Sequence, residues 1–264
     1  MEQLIETIIL GIIQGLTEWL PISSTGHLKL AEHFLGLKVP ILFDITLHLG
    51  TLIVILIYFK KEVKKIVSAL LRFDFKTEHG KFIPLIIVGT IPTALIGLIF
   101  STIIEDVFQN PIPIASAFIL CGVILYSTKA GKEKTENISY SEALMIGVAQ
   151  GIALIPGISR SGTTIAVALL LGIRREKAFN FSFLLSIPAV LGAFGLQAYR
   201  SWNALTAAGV SWIEVFVGII VAMVVGYFAL KLLWKILVIQ KLHFFAFCCW
   251  FIALLSIMFS FGGF

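Results

Sequence analysis

The sequence contains a run of 23 residues, from Phe82 to Ile104, without a single charged side chain, and this run limits the possible folds more than any other feature. A helix needs about 20 mainly apolar residues to cross about 30 Å of hydrocarbon. Five further segments approach this length and apolarity: Ile41–Phe59, Pro111–Thr128, Ala178–Tyr199, Trp212–Leu230 and Leu242–Phe264. We therefore predict an all-α polytopic membrane protein with six transmembrane helices.

The composition supports a lipid environment and a single membrane domain over residues 1–264. Hydrophobic residues make up 58% of the chain and charged residues 13%, whereas soluble proteins carry about 25% charged residues. The formal net charge of +5 is also found in proteins that bind nucleic acid. Here, however, the basic residues are grouped between the apolar segments, as in the cytoplasmic loops of membrane proteins. We therefore expect no nucleic-acid partner.

The lysine and arginine residues predict the orientation of the helices. Most of them lie in four groups, within residues 60–81, 129–134, 174–177 and 231–241. The positive-inside rule makes these four loops cytoplasmic, and the six spans then alternate consistently across the membrane.

Two other apolar segments, Leu4–Leu37 and Tyr140–Ile173, are each interrupted by a cluster of proline, serine, threonine and glycine. Each half is too short to span the membrane. Non-helical backbone at membrane depth survives only where protein buries it or where it lines a wet cavity. We interpret both segments as re-entrant helix–loop–helix hairpins, the first entering from outside and the second from the cytoplasm. The alternative is a pair of kinked ordinary spans.

The two broken segments also resemble each other at one constant shift, without gaps. Identical pairs include Glu6/Glu142, Gly11/Gly147, Gln14/Gln150, Gly15/Gly151, Ile22/Ile158, Ser23/Ser159 and Gly26/Gly162. Since the segments enter from opposite faces, we predict an inverted-topology repeat, with repeat 1 at about 4–128 and repeat 2 at about 140–264. Such folds bring broken helices together near the midplane, with the ligand site between the repeats. We therefore expect a site built from residues 14–27 and 150–164.

The first tip, residues 14–27, carries polar groups in an otherwise apolar helix. Gln14 and Glu18 are four residues apart and share one helix face. A charged residue at membrane depth costs about 2.5–3.5 kcal/mol on insertion scales, so a functional site is the default interpretation of Glu18. The serine and threonine residues after Pro21 could cap the second helix, but capping leaves one hydroxyl, Glu18 and His27 unexplained.

The second tip, residues 156–164, reads Pro-Gly-Ile-Ser-Arg-Ser-Gly-Thr-Thr. Helix N-termini bind anions through free N–H groups, and the guanidinium of Arg160 is suited to phosphate. We therefore predict a phosphate cradle from Arg160 and the N–H groups of 157–164. The alternative for Arg160 is a structural ion pair with Glu18 across the repeat interface, which could coexist with function.

These two stretches resemble the motifs of a known family. The segment Gln14–His27 resembles the [E/Q]xxxE motif of the bacterial undecaprenyl-pyrophosphate phosphatases of the bacitracin-resistance type, and Pro156–Thr164 is similar to their PGxSRSxxT motif. The resemblance covers essentially the whole chain. It implies metal-dependent hydrolysis of undecaprenyl pyrophosphate, which recycles the cell-wall carrier lipid. It also implies a multi-pass protein of the bacterial inner membrane whose active site opens to the extracytoplasmic side.

The resemblance and the tip chemistry together assign candidate roles. The catalytic residues would be Glu18, Ser24, His27 and Arg160, with Ser24 as nucleophile activated by His27, and with Ser23 or a water as alternatives. The substrate-binding residues would be Ser23, Thr25, Gly157, Ser159, Arg160, Ser161 and Thr164. A divalent cation, Mg²⁺ or Ca²⁺, would be held by Glu18 and Gln14. Gln14 stands where some family members have glutamate, which leaves Glu18 as the main charged ligand.

Other interpretations of the same features remain. A lipid-phosphate flippase or an ion-coupled transporter would also use an inverted repeat with broken helices, although the grouped hydroxyls beside Arg160 favour phosphate chemistry. A non-catalytic scaffold would not explain charges at both tips. His48, four residues after Asp44, is expected to form a structural hydrogen-bonded pair with it, with a role beside the site as the alternative. The substrate's long isoprenoid never leaves the bilayer, so its head group would enter the site laterally, between spans.

Overall fold

The computed structural model describes residues 2–37, 41–207 and 211–261. These residues form eleven α-helices and two short 3₁₀ turns, with no β-strand among them. The helices are α1 (Glu2–Trp19), α2 (Ser24–Leu35), α3 (Ile41–Tyr58), α4 (Lys60–Leu71), α5 (Phe82–Val107), α6 (Pro111–Ser127), α7 (Tyr140–Ile152), α8 (Arg160–Leu170), α9 (Arg175–Ala207), α10 (Trp212–Val238) and α11 (Phe245–Phe261). The all-α prediction is confirmed.

Five of the six predicted spans are confirmed as single helices long and apolar enough to cross a membrane: α5, α6, α9, α10 and α11. The prediction Ile41–Phe59 corresponds to α3, which passes the same test only together with α4, beyond a bend of 84°. The last residues of the sixth predicted span, 262–264, lie outside the described residues.

Both interrupted segments consist of two helices joined by a non-helical turn. The first is α1 and α2 with a break at residues 20–23, and the second is α7 and α8 with a break at residues 153–159. A serine caps the second helix of each pair, since Ser23 Oγ accepts from Gly26 N and Ser159 Oγ accepts from Gly162 N. Their re-entrant course through the bilayer stays a prediction.

In each half, the first helix of the interrupted segment packs against a long helix of the other half. Helix α1 packs along α10, and α7 packs along α5. Glycines allow both close approaches: a Cβ on Gly11 would lie 3.0 Å from the carbonyl oxygen of Gly218, and a Cβ on Gly147 would collide with the carbonyl oxygen of Gly89. Thr93 of α5 strengthens the second contact by donating a hydrogen bond of 2.9 Å to the Gly147 carbonyl.

An aromatic core lies below the first tip and fixes the end of α1. Trp19 is fully buried and meets Phe183 of α9 edge-on, with ring centroids 5.3 Å apart. Phe183 in turn packs on Phe179 at 4.5 Å and on Phe59 at 6.0 Å. Because Trp19 follows Glu18 directly in α1, this packing also sets where the Glu18 carboxylate lies.

Candidate active site

The two tips are in direct contact through Ser23 and Gly157. Ser23 Oγ accepts hydrogen bonds from Gly157 N at 3.0 Å and from Gly26 N at 3.3 Å. The backbones are so close that a Cβ on Gly26 would lie 2.9 Å from Gly157 Cα. Gly157 also has a φ of +102°, a conformation that favours glycine. One hydroxyl therefore joins the turn of the first tip to the turn of the second.

The Glu18 carboxylate is the centre of the site. It is 6% exposed and accepts hydrogen bonds from Gln14 Nε2 at 3.0 Å and from Ser24 Oγ at 2.5 Å. Its other oxygen, Oε1, forms an ion pair with the guanidinium of Arg160 from the second tip. The structure thus brings together three predicted residues of the first tip and the one cation of the second.

His48 of α3 completes the surroundings of Glu18. Its Nδ1 lies 2.9 Å from the main-chain carbonyl oxygen of Asp44, and its Nε2 lies 3.4 Å from Glu18 Oε2. Since a carbonyl only accepts, Nδ1 is the donor and Nε2 faces the carboxylate. The expected contact with Asp44 exists, but it involves the backbone rather than the carboxylate. The sequence feature that could have placed His48 at the site is that it is an ionisable side chain inside a predicted span.

His27 lies apart from this group. Its Nδ1 is 2.8 Å from the carbonyl oxygen of Ser23, and its ring meets Phe118 edge-on at 5.2 Å. It is not among the residues that line the site's cavity. The sequence expectation was that His27 activates Ser24. In the structure, the imidazole of His27 lies against the Ser23 carbonyl, whereas the Ser24 hydroxyl donates to Glu18.

Most polar groups of the second tip already have hydrogen-bond partners within the protein. Ser161 Oγ donates to the carbonyl of Trp19 at 3.1 Å, and Thr164 Oγ1 donates to the carbonyl of Arg160 at 2.9 Å. Backbone N–H groups of the turn also have partners within the protein: those of Gly157, Ile158, Ser159, Gly162 and Thr163. The anion site expected from the N–H groups of 157–164 is therefore reduced to the start of α8 and the Arg160 side chain.

A cavity of about 860 Å³ opens onto this site. The predicted site residues that line it are Glu18, Ser23, Ser24, Thr25, Ser159 and Arg160, and those that do not are Gln14, His27, Gly157, Ser161 and Thr164. The cavity therefore exposes both a hydroxyl and a guanidinium at the same carboxylate.

A second charged cluster lines the same cavity and was missed by the sequence analysis. Lys29 Nζ lies 2.7 Å from Glu32 Oε2 and 3.0 Å from Asp44 Oδ2. Glu32 and Asp44 are 8% and 6% exposed. The i, i+3 spacing of Lys29 and Glu32 was a signal for their pairing, but the approach of Asp44 depends on how α3 packs against α2.

The residues around Glu18 are suited to a divalent cation. Gln14 Oε1 is buried and has no hydrogen-bond partner among the described residues, while its amide nitrogen already serves Glu18. An amide oxygen beside a carboxylate is a donor set that Mg²⁺ and Ca²⁺ accept. Among the residues that the structure describes, no group of three His, Cys, Asp or Glu side chains converges as a metal cluster, so any cation here would also need ligands from the substrate or water.

The sequence profile described as "Bacitracin resistance protein BacA" matches residues 7–255. The chain belongs to this family. Three relatives of this BacA-family protein agree over almost the whole chain. A protein of Carboxydothermus hydrogenoformans named undecaprenyl-diphosphatase is 42% identical and covers 98% of each chain. Another of the same name, from Desulforapulum autotrophicum, is 41% identical and covers 98% of this chain and 99% of its own. Undecaprenyl-diphosphatase 3 of Bacillus cereus is 42% identical and covers 97% of each chain.

Proposed function

We propose that this BacA-family protein hydrolyses undecaprenyl diphosphate to undecaprenyl phosphate and inorganic phosphate, and so recycles the carrier lipid of cell-wall synthesis. The observation that carries the proposal is the contact of Ser24 Oγ and Arg160 with one buried carboxylate, Glu18, in a cavity. The relatives named undecaprenyl-diphosphatase support it, since they match nearly the full chain. They lend no support to the transporter alternative.

Ser24 is the better nucleophile of the two neighbouring serines. Its hydroxyl proton points to a carboxylate at 2.5 Å, which raises the electron density on Oγ. The oxygen of Ser23 instead accepts two backbone N–H groups, from Gly26 and Gly157. Since these contacts occupy its lone pairs and hold the two tips together, Ser23 has a structural role.

Glu18 is positioned to accept the proton that Ser24 loses. Attack by Ser24 Oγ on the terminal phosphorus breaks the bond from that phosphorus to the bridging oxygen, and undecaprenyl phosphate leaves with the bridging oxygen. Water then hydrolyses the phosphoserine, which releases inorganic phosphate and restores the hydroxyl. His48 Nε2 lies 3.4 Å from Glu18 Oε2, beside the carboxylate that receives the proton.

Arg160 would bind the phosphoryl oxygens during this step. The ion pair with Glu18 uses Nη2, and a guanidinium has five N–H donors in all, so the remaining donors can face the cavity. Arg160 lines that cavity and lies at the first position of α8. The positive end of the helix dipole therefore adds to its charge at the point where phosphate oxygens would lie.

The proposal includes a divalent cation held by Glu18 and Gln14. Two cationic side chains near the site already have carboxylate partners, since Arg160 pairs with Glu18 and Lys29 with Glu32 and Asp44. A diphosphate brings several negative charges into the cavity. A bound Mg²⁺ or Ca²⁺ supplies neutralisation of these charges, and the protein's contribution is to hold the ligand oxygens.

We also propose the placement of this site in the cell. The protein lies in the bacterial inner membrane, with the basic loops in the cytoplasm and the cavity open to the extracytoplasmic side. The support is the distribution of lysine and arginine and the polar cavity residues near the ends of α5 and α9 opposite the basic loops, such as Asp106, Gln109 and Arg200.

The test is phosphate release from undecaprenyl diphosphate by detergent-solubilised protein, with and without a chelator. We expect activity in wild type with Mg²⁺ or Ca²⁺, none after chelation, and a loss of at least about 100-fold, the size of one lost electrostatic contact in a transition state, in Glu18→Ala and Arg160→Ala. Glu78→Ala, at an exposed ion pair with Lys177, is the control and should keep full activity. Hydrolysis releases phosphate in detergent, whereas transport can be detected only between two compartments. Absence of phosphate release by the wild-type protein would therefore contradict the proposed hydrolysis.

A further inference from the structure

His48 presents to the Glu18 carboxylate the ring nitrogen that is not used for its own hydrogen bond. Nδ1 lies 2.9 Å from the carbonyl oxygen of Asp44, one turn earlier in α3, so the Nδ1 proton is donated there. In a neutral imidazole Nε2 then has a lone pair and no proton. This nitrogen lies 3.4 Å from Glu18 Oε2, which is also an acceptor. Two acceptors this close require a proton or a cation between them.

The distances around Glu18 Oε2 match those between ligands of one small cation. Two ligands bonded at about 2.1 Å lie about 3.0 Å apart at a right angle and about 3.4 Å apart at a tetrahedral angle. The amide nitrogen of Gln14 is 3.0 Å from Glu18 Oε2, and His48 Nε2 is 3.4 Å from it. A half-turn of the Gln14 amide replaces this nitrogen by Oε1, which is buried and has no hydrogen-bond partner among the described residues. The three side chains therefore have the spacing of a ligand set.

The two oxygens of the Glu18 carboxylate have different partners. Arg160 pairs with Oε1, whereas Gln14, Ser24 and His48 all lie against Oε2. A cation at Oε2 therefore leaves the contact with Arg160 in place. Glu18 and His48 both line the cavity, and the His48 side chain is 19% exposed against 4% for Glu18. The cavity thus gives a cation access to this side of the carboxylate.

The internal repeat links His48 to Glu18. At the constant shift that relates the two halves, Glu18 is matched by Leu154 and His48 by Leu184. The residue after His48 is leucine in both halves, so the register continues into α3. Histidine is present in the half that has the carboxylate and absent from the half that lacks it. A histidine that served only its own helix would not depend on a carboxylate in another helix.

The hydrogen bond of His48 to its own helix is typical of a metal ligand. Ligating histidines usually donate their other N–H to a carbonyl or carboxylate, which fixes the ring and its tautomer. The Asp44 carbonyl has this position at His48. Imidazole nitrogen is a ligand for first-row transition cations, whereas Ca²⁺ takes oxygen ligands. The side chain at position 48 therefore affects which cation the site prefers.

We propose that Nε2 of His48 is the third protein ligand of the divalent cation held by Glu18 and Gln14, and that it makes the site prefer a first-row transition cation such as Mn²⁺ to Ca²⁺. The assignment rests on the proposed function and specifies its cation site. Three protein ligands leave coordination positions for substrate or water, as catalytic metal sites require.

The repeat supplies the test substitution, because the second half has leucine at the position of His48. Mn²⁺ alone is titrated into detergent-solubilised protein, the free ion is measured by its EPR signal, and Ca²⁺ is measured by competition. We expect His48→Leu to raise the Kd for Mn²⁺ by at least about tenfold, the smaller cost found even for groups that only orient a metal ligand. The Kd for Ca²⁺ should change less than about twofold, since Ca²⁺ takes oxygen ligands.

His33 provides the matched control. It also lines the cavity, but it is exposed and its ring packs on Phe34 at 5.4 Å. His33→Leu should leave both Kd values unchanged. Equal Kd values for Mn²⁺ in wild type and His48→Leu, or equal losses for Mn²⁺ and Ca²⁺ in His48→Leu, would overturn the assignment.

Pulsed EPR identifies the ligand in the wild-type protein without relying on the folding of a variant. The protein is produced with ¹⁵N-labelled histidine and loaded with Mn²⁺, and a directly bound imidazole is detected by its ¹⁵N hyperfine coupling. We expect this coupling in wild type, His27→Leu and His33→Leu, and its loss in His48→Leu. A wild type that binds Mn²⁺ without the coupling would place a proton between His48 and Glu18 and refute the assignment. Coupling that persists in His48→Leu would refute it as well.

These measurements are independent of turnover. Protein whose bound Mn²⁺ is coupled to His48 but which releases no phosphate would refute only the proposed hydrolysis. Protein that releases phosphate but shows no histidine coupling would refute only the ligand assignment. A wild type that binds Ca²⁺ more tightly than Mn²⁺ would contradict the proposed preference.

Discussion

The buried carboxylate of Glu18 and the partly exposed guanidinium of Arg160 form an ion pair although 142 residues separate them in the chain. The pair exists because two turns from different halves of the protein meet at Ser23 and Gly157. It joins a group that can accept the Ser24 proton to a group that can bind phosphate. The same contact therefore serves the packing of the tips and the chemistry of the site.

Removing one or both charges should separate these two roles. Arg160→Met alone leaves the buried Glu18 charge uncompensated and should lower the free energy of unfolding by about 3–5 kcal/mol. Glu18→Gln alone leaves the partly exposed Arg160 unpaired and should cost less, because Arg160 lines the cavity. The double variant should recover most of this loss, because no unpaired charge remains. Thermal unfolding in detergent and phosphate release are measured on all three.

The three variants should differ in stability but should all lose activity. We expect all three variants to lose at least about 100-fold in phosphate release, since the catalytic groups are absent even where the fold is restored. A double variant as unstable as the worse single variant would contradict the ion-pair energetics. An active double variant would contradict the mechanism.

Ser24 and Ser23 should respond differently to alanine. Ser24→Ala removes the proposed nucleophile and should abolish turnover with a small effect on stability, because Glu18 keeps its contacts with Gln14 and Arg160. Ser23→Ala leaves the N–H groups of Gly26 and Gly157 without their acceptor and should cost about 1–3 kcal/mol of stability. Rapid quench with substrate labelled in its terminal phosphate should trap phosphoserine in wild type and in Ser23→Ala. Full turnover by Ser24→Ala would exclude covalent catalysis by that residue.

The residue at position 14 should set the affinity for the divalent cation. Gln14→Glu places a second carboxylate beside Glu18, and we expect the apparent Kd for Mg²⁺ or Ca²⁺ to fall about tenfold, a difference of about 1.4 kcal/mol. Activity is titrated with each cation after chelation. Glu78→Ala, at an exposed ion pair with Lys177, is the control and should leave the apparent Kd unchanged. Equal values for wild type and Gln14→Glu would place the cation elsewhere.

The close approach of the two tips predicts a strict requirement for glycine at position 26. A Cβ there would lie 2.8 Å from Gly157 N and 2.9 Å from its Cα, so Gly26→Ala must push the backbones apart. We expect a loss of about 1–3 kcal/mol, typical of overpacking, together with most of the activity. Gly36→Ala is the comparison, since Gly36 has a φ of +67° but no atom within 4 Å of an added Cβ.

Gly36→Ala should therefore show only the cost of its backbone conformation, about 1–2 kcal/mol, with normal turnover. Thermal unfolding and phosphate release on the same preparations distinguish the two variants. If Gly26→Ala retains wild-type activity, the contact between the tips is not required for catalysis.

The sequence by itself determined the class of fold and pointed to the segments that form the candidate site. Helix formation and membrane insertion depend on local apolar runs, so five of the predicted spans could be identified from segments such as Phe82–Ile104. The two interrupted segments were expected to carry the site because their polar residues are costly at membrane depth. Their similarity also predicted that Glu18 and Arg160 would share one site.

Only the tertiary structure decided which groups meet at that site. The position of His48 beside Glu18, and of Asp44 beside Lys29, depends on how α3 packs on the first tip. Which N–H groups of the second turn remain free depends on partners as distant as Ser23 and Cys121. Distances between helices are set by contacts among residues far apart in the chain, and no local pattern of residue types encodes them.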